Sequence, residues 1–184
     1  MSLALIITIA VIVLLVLWVI SVQNKLVKSD EICNNALKQI NVQQISRYDA
    51  LKALVKLTRE YAQYEGDTLT KVIQERKITS SPSPTVADIA GNEAALRDIA
   101  GRLIAVAEQY PELKANENYA KTMDSVKEYE NNVRLSRMTF NDTVTKFNNM
   151  VRMFPGSVVA SMLGFSRRDY LAEDVSKTEY PETL

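Results

Sequence analysis

The sequence predicts an all-α protein in which an N-terminal transmembrane helix continues into an antiparallel bundle of three to four helices. Three observations predict this fold class. Leu3–Val22 is an apolar run without a charged residue, apolar residues after it recur at three- and four-residue spacing, and no long stretch alternates with the two-residue period of a strand. Helices with one apolar stripe bury it by packing together, so the region after the run is expected to form one domain.

The first element, the apolar run, has the length of a membrane span. About 20 helical residues, rising about 1.5 Å each, match a hydrocarbon core of about 30 Å. Lys25 and Lys28 follow the run, and positively charged flanks tend to stay in the cytoplasm. We therefore expect residues 1–23 to form a single-pass anchor, with the short N-terminus outside and residues 24–171 folded as a cytoplasmic bundle.

A cleaved signal peptide and a pilin are the alternatives to a retained anchor. A signal peptide is disfavoured because no Lys or Arg precedes the run, the run exceeds the usual apolar region of about 7–15 residues, and Ser21-Val22-Gln23 is not a small-x-small cleavage site. A pilin would have a basic leader and usually a Glu inside the apolar helix, and the sequence has neither.

Proline-containing loops divide residues 24–171 into four predicted helices. Pro82 and Pro84 lie in a Ser- and Thr-rich loop that ends the first helix, and Phe154-Pro155-Gly156 ends the third. Gly66 is expected to mark a bend in the first helix, and Asp88 is expected to be the N-cap of the second. The helices are expected at about 24–78, 88–109, 117–153 and 157–165. Residues 172–184, which are acidic and have few large apolar side chains, are expected to form a flexible tail.

The composition indicates neither nucleic-acid binding nor a reactive centre. Lys plus Arg and Asp plus Glu both number 22, so no large basic field is present. The sequence contains no His, which removes the commonest general base and the commonest metal ligand. Cys33 is the single cysteine and is expected to be a small residue on a helix face. We therefore expect no catalytic residues, no cofactor and no metal site.

Polar residues interrupt the apolar stripes at positions that the helical spacing places on the buried side. Glu130 and Arg137 fall in the stripe of the third helix, and the stripe of the first is interrupted by Gln43, Gln44 and Arg47. Buried charges are costly unless they are paired, so we predict that Arg47 or Arg137 meets Glu130. The structural interpretation is a network that sets helix register, and the functional interpretation is a ligand or partner site inside the bundle. The predicted network comprises Arg47, Glu130, Asn131, Arg137 and Asn141.

A basic pair close to the C-terminus follows a short apolar helix. Arg167 and Arg168 come after Val158–Leu163, and such a segment could contact anionic lipid headgroups. The structural alternative is an amphipathic segment that closes one end of the bundle.

Several motifs together resemble proteins of the LemA family. Residues 40–51 (INVQQISRYDAL) resemble the first helix of these proteins, and residues 110–119 (YPELKANENY) resemble their most distinctive loop. The sequence departs from the family pattern at Ser46, where a basic residue is common, and at residues 50–53, where Ile-Pro is usual. Further matches are Glu130-Asn131, Arg137, Phe140-Asn141, Phe147-Asn148, Phe154-Pro155 and Gly164-Phe165.

The resemblance implies a single N-terminal span, a short outer end and a cytoplasmic helical bundle. Some family members belong to the magnetosome membrane, so the expected location is the cell membrane or an intracellular membrane of a bacterium. The family supplies no catalytic residues to transfer.

The leading hypothesis is a membrane-anchored, non-enzymatic scaffold that assembles with copies of itself or docks other membrane proteins. Its expected partners are the lipid bilayer, further copies of the chain and other membrane proteins, but not nucleic acid. The alternative is a module that binds a lipid or small ligand in a polar pocket inside the bundle. A hydrolytic or transferase activity is the third hypothesis, and no acid–base constellation in the sequence supports it.

Overall fold

The computed structural model describes residues 3–75, 78 and 81–172. These residues form helices and connecting segments without a strand, so the predicted all-α class is confirmed. The predicted acidic tail lies, apart from Ala172, outside the described residues. The helices are α1 (Leu3–Tyr61), α2 (Gln63–Glu75), α3 (Val86–Gln109), α4 (Pro111–Lys114), α5 (Glu117–Arg152) and α6 (Gly156–Leu163).

Helix α1 is one continuous helix of 59 residues that belongs to two environments. Its first four turns expose large apolar side chains on all sides, because no other element packs around them. From Leu26 onward it buries one stripe against the rest of the chain. Among the described residues, α1 alone is long and apolar enough to cross a membrane by length and composition.

Helix α2 folds back along α1, so the first helix ends earlier than predicted. The break between the two helices is at Ala62, four residues before the predicted bend at Gly66. A hydrogen bond joins the two helices, since Tyr48 Oη of α1 donates to Ile73 O of α2 at 3.2 Å. Gly66 permits the tight return, because a Cβ there would lie 2.5 Å from the Cα of Arg59. The structure therefore contains a helical hairpin where the sequence analysis expected a single helix over 24–78.

Helix α3 runs in the same direction as α1, which its contacts with Gln44 and then Arg47 establish. Its N-cap is Thr85, one turn before the predicted Asp88. The Thr85 hydroxyl accepts a hydrogen bond from the Asp88 amide, and the Asp88 carboxylate accepts one from the Thr85 amide at 2.8 Å, which forms a capping box. These hydrogen bonds to Thr85 lower the pKa of Asp88 below its ordinary value.

Helix α5 returns antiparallel to α1 and makes its most extensive contacts with that helix. Asn116 caps its N-terminus by accepting a hydrogen bond from the Tyr119 amide. After α5, the short helix α6 ends at Gly164, whose φ of 77° is the left-handed conformation that glycine adopts at low cost. The C-terminal segment, residues 165–172, then runs back along α5.

The interior consists of two separate hydrophobic clusters stacked along the bundle axis. The lower cluster, nearer the apolar run, includes Leu26, Cys33 and Phe140, and the upper cluster includes Leu51, Leu96 and Tyr119. On α1 the lower cluster ends at Ile40 and the upper cluster begins at Leu51. The buried positions between them are polar.

Candidate functional site

A buried polar layer separates the two hydrophobic clusters. We define it as the side chains of Asn41, Gln44 and Arg47 on α1 with those of Asn92 and Glu93 on α3, all of which are buried. Glu130 of α5 reaches it from a half-buried position. At the same height of the bundle, α1 and α3 thus have polar side chains at buried positions, and α5 contributes Glu130.

Arg47 lies at the centre of this layer and is 1% exposed. Its Nη1 is 3.1 Å from Glu93 Oε1 and its Nη2 is 3.4 Å from Glu130 Oε2, so one guanidinium joins α1 to both α3 and α5. Arg97 adds a second cation, with its Nε 3.2 Å from Glu93 Oε1. The layer therefore balances two cations with two carboxylates, which is the condition under which charges are tolerated in a core.

Side-chain amides extend the layer toward the loop before α3. Gln44 Nε2 donates to Ile89 O at 3.0 Å and lies 3.3 Å from Glu93 Oε2. Asn41 Nδ2 donates to Ser81 O at 3.2 Å, and Asn92 Nδ2 lies 3.5 Å from Asn41 Oδ1. Within the described part of the chain, Gln44 Oε1 and Arg47 Nε are buried without a hydrogen-bond partner. Two polar atoms in the layer thus keep hydrogen-bonding capacity.

The predicted network residues fall at different places in the structure. Arg47 and Glu130 are brought together in the polar layer. Asn131 is exposed on α5. Arg137 and Asn141 lie on the following turns of α5 and bind the C-terminal segment, Arg137 through Ala172 O and Asn141 through Leu171.

Glu93, the carboxylate that pairs with both Arg47 and Arg97, is not among the predicted network residues. A signal for it was present, because Glu93 stands four residues after Ile89 and three before Leu96 and so occupies the apolar stripe of α3. Asn92 lies beside that stripe and Asn41 lies beside the stripe of α1, so both have weaker sequence signals.

The C-terminal segment is attached to α5 by a repeated asparagine contact. The Asn141 side chain donates to Leu171 O and accepts from Leu171 N, both at 3.0 Å. Asn148 makes the same pair with Arg168, at 3.0 and 2.9 Å. Seven residues of α-helix rise about 10.5 Å, and three residues of extended chain span about 10 Å. This match lets two asparagines seven residues apart bind backbone groups three residues apart.

Arg168 connects the C-terminal segment to α1, and this contact differs from the predicted headgroup contact. Its Nε is 2.7 Å from Asp30 Oδ1, and its Nη2 donates to Asn34 Oδ1 at 2.7 Å. Its guanidinium also lies over the Phe147 ring, 5.8 Å from the centroid. Arg168 is thereby half-buried, whereas Arg167 is exposed.

Cys33 is buried in the lower cluster close to this contact. Burial raises the pKa of the Cys33 thiol, and a hydrogen bond with Thr143 opposes that shift to a smaller extent. A protonated, enclosed thiol is a poor nucleophile, so Cys33 acts in packing. The described residues also contain no group of three or more His, Cys, Asp or Glu side chains placed to hold a metal ion.

A profile of the LemA family matches residues 36–183. The chain belongs to the LemA family. The match begins within α1 and covers α2 to α6, so the polar layer and the asparagine-bound segment both lie inside the LemA region.

Proteins similar in sequence to this LemA protein include magnetosome proteins and another LemA protein. Magnetosome proteins MamQ 1 and MamQ 2 of Paramagnetospirillum magneticum are each 32% identical over 92 residues, which is 47% of this chain and 34% of the relative. Protein LemA of Metamycoplasma hominis is 25% identical over 141 residues, which is 77% of this chain and 64% of that protein. The chain thus spans about a third of the MamQ proteins and just under two thirds of the mycoplasma LemA.

Proposed function

We propose that this chain is a membrane-anchored, non-enzymatic scaffold whose bundle assembles with copies of itself, or docks a partner, at the cytoplasmic surface of a bacterial membrane. The observation that carries the proposal is the continuity of α1. One helix contains the exposed apolar run and also supplies the buried stripe around which α3 and α5 pack. A bundle built on its own anchor is held at a fixed height above the bilayer.

Retention in a membrane is supported by the exposure of the apolar run. A helix of a soluble protein buries its apolar face, whereas none of the side chains of the apolar run in α1 is buried. Lipid would cover these side chains, and the helix satisfies its own backbone hydrogen bonds there. The relatives named as magnetosome proteins agree with a location at a bacterial membrane. Lys25 and Lys28 favour a cytoplasmic bundle.

Docking is supported by the open face between α1 and α5. Three shallow grooves of about 660, 410 and 360 Å³ follow one another along this face. Small side chains leave the space, among them Ala36, Ser46 and Ser136. The groove walls carry both cations and carboxylates, so the face can meet a second copy of itself without a large charge mismatch. A helix from a neighbouring molecule fits such a face.

The absence of histidine and the enclosed thiol support a role without catalysis. General acid–base chemistry near neutral pH most often uses His, and the chain has none. The carboxylates of the polar layer are engaged with Arg47 and Arg97, which suits them for holding helices together.

The test is a mass measurement on the full chain in lipid nanodiscs or by native mass spectrometry from detergent. We expect an oligomer or a co-isolated membrane protein, and Ser136→Arg, which fills a groove, should reduce that association. Asn131→Arg adds the same charge on an exposed position of α5 and should leave it unchanged. A strict monomer without a co-isolated partner contradicts the scaffold proposal.

Topology is tested separately with reporters fused to the C-terminus. A fluorescent protein that folds in the cytoplasm should be active, and alkaline phosphatase, which needs export, should be inactive. The reverse pattern contradicts the proposed orientation and leaves the assembly measurement valid.

A second candidate function is a module that binds a small ligand in the polar layer. The observation that favours it is the pair of buried atoms without a partner, Gln44 Oε1 and Arg47 Nε, which can accept and donate a further hydrogen bond. Mass analysis of the purified chain for a co-purified metabolite or lipid tests it. A bound molecule that is lost in Gln44→Leu, with the helical content retained, would favour this candidate over the scaffold.

A further inference from the structure

The junction of α5 and α6 exposes an unusual amount of apolar surface. We call residues 153–163 the elbow, and none of them is charged. Phe154 is 84% exposed, Met162 77% and Met153 62%. Helix α6 buries Val159 and Ala160 against the lower cluster. Its outward face is apolar too, because it exposes Val158, Met162 and Leu163. A helix at a water-facing surface ordinarily has a polar outer face.

The elbow lies level with the last turns of the apolar run. Trp18 and Val22 of α1 line one groove of about 330 Å³ together with Met153 and Phe154. Val19 and Val22, which belong to the run, also pack against the lower hydrophobic cluster. The end of the bundle and the end of the apolar run therefore overlap along the α1 axis.

This overlap determines the depth of the elbow once α1 spans a bilayer. The run of about 20 residues fills a hydrocarbon core of about 30 Å, so its final turn reaches the boundary between acyl chains and headgroups. Side chains at the height of Trp18 then lie at that boundary, where amphipathic and aromatic groups are favoured. Phe154 lines the groove with Trp18, and Met162 is exposed on the helix that follows it.

Cations flank the apolar surface where headgroups would be. Lys25 lines the same groove as Phe154, and Arg152 occupies the last turn of α5. Arg167, four residues after α6, is exposed. An apolar face with basic residues beside it is the arrangement of helices that lie in the interface of an anionic membrane. Arg168 is excluded from this set because it binds Asp30.

We propose that the elbow inserts its outer face into the interfacial region of the leaflet from which α1 emerges, as a second membrane contact of this chain. The occupant is lipid, at the junction of acyl chains and headgroups. The inference rests on the proposed spanning by α1, and it adds that the bundle contacts the bilayer directly and does not stand clear of it.

The test uses quenching of tryptophan fluorescence by lipids brominated near the headgroup end of their acyl chains. The full chain is reconstituted into vesicles of phosphatidylcholine and phosphatidylglycerol. Trp18 is the single tryptophan, so the parent protein reports on the anchor. Phe154→Trp and Met162→Trp, each combined with Trp18→Phe, report on the elbow. Tyr64→Trp in the same background is the control, because Tyr64 is an exposed aromatic residue at the start of α2, beside the end of α1 that lies farthest from the apolar run.

We expect strong quenching for Trp18 and for both elbow variants, and little for the Tyr64 control. Quenching of Trp18 without quenching at the elbow would overturn this inference and leave the anchor intact. Absence of quenching at Trp18 would overturn the anchor. Elbow emission that is blue-shifted but equally bright in brominated and ordinary lipid would assign the face to a second copy of the chain and overturn lipid as the occupant.

A charge variant tests the headgroup part of the inference. Arg167→Glu in the Phe154→Trp background is expected to reduce quenching in vesicles that contain phosphatidylglycerol and to leave it unchanged in pure phosphatidylcholine. Equal quenching in both compositions would remove the electrostatic contribution from the proposal.

Discussion

Replacing Arg47 with alanine tests whether the polar layer holds the helices together. Arg47 is the group through which α1 contacts both Glu93 and Glu130, and its side chain is among the largest that are fully buried. The substitution removes the positive charge from beside Glu93, whose side chain is 10% exposed, and leaves a cavity in its place. Both effects destabilise the bundle.

The magnitude follows from the environment of each partner. Removing one member of a buried ion pair costs about 3–5 kcal/mol. The lower part of that range applies, because Glu93 keeps its contacts with Arg97 and Gln44 and the Glu130 side chain is 34% exposed. A loss of about 3–4 kcal/mol in a domain of this size lowers Tm by roughly 6–16 °C.

The assay is thermal unfolding of the full chain in detergent, followed by circular dichroism. Glu130→Gln is the matched control. It neutralises a carboxylate whose side chain is 34% exposed, so it should cost at most about 1 kcal/mol. Arg47→Met combined with Glu93→Gln should recover part of the loss, because no uncompensated buried charge remains. A Tm change for Arg47→Ala no larger than that for Glu130→Gln would refute the reasoning.

Three further predictions address the other features of the fold. Asn141→Ala removes both hydrogen bonds to Leu171 and should cost about 1–3 kcal/mol, with faster hydrogen exchange of the Leu171 amide as the direct readout. Gly66→Ala should destabilise the bundle, because the new Cβ would lie 2.5 Å from the Arg59 Cα in α1. Gly91→Ala, where a Cβ meets nothing within 4 Å, should stabilise α3 by about 0.5–1 kcal/mol. Thermal unfolding of the two variants beside the parent protein measures both effects. Cys33 should react slowly with a maleimide in the folded chain and rapidly after unfolding. Because burial raises its pKa, the stability associated with the neutral thiol should be present below the ordinary pKa of a thiol and fall as pH rises above it.

Much of the helical arrangement could be predicted from the sequence, because it is encoded locally. The apolar run identifies the start of α1, Pro82 and Pro84 identify the loop before α3, and the stripe of α5 identifies Glu130 as a polar member of the core side. The meeting of Arg47 with Glu130 follows from the cost of burying an unpaired charge.

The hairpin of α1 and α2 could not be predicted in the same way. Ala62, at the break, has high helix propensity, and Gly66 was interpreted as a bend in a single helix. The reason for Gly66 is its close approach to Arg59, which depends on the packing of α2 against α1. Arg168 is similar, because its partners Asp30 and Asn34 are more than 100 residues away and no local pattern distinguishes a paired from a lipid-facing arginine.

The unbroken course of α1 also has a mechanical consequence. From Asn24 to Tyr61 the helix extends about 55–60 Å at about 1.5 Å per residue. Bilayers of different thickness are matched by different tilts of a spanning helix, so a change in tilt of about 10° would move Tyr61 sideways by about 10 Å if the helix stays straight. The distance between neighbouring molecules at their far ends would then depend on the thickness and curvature of the lipid in which their first residues are embedded.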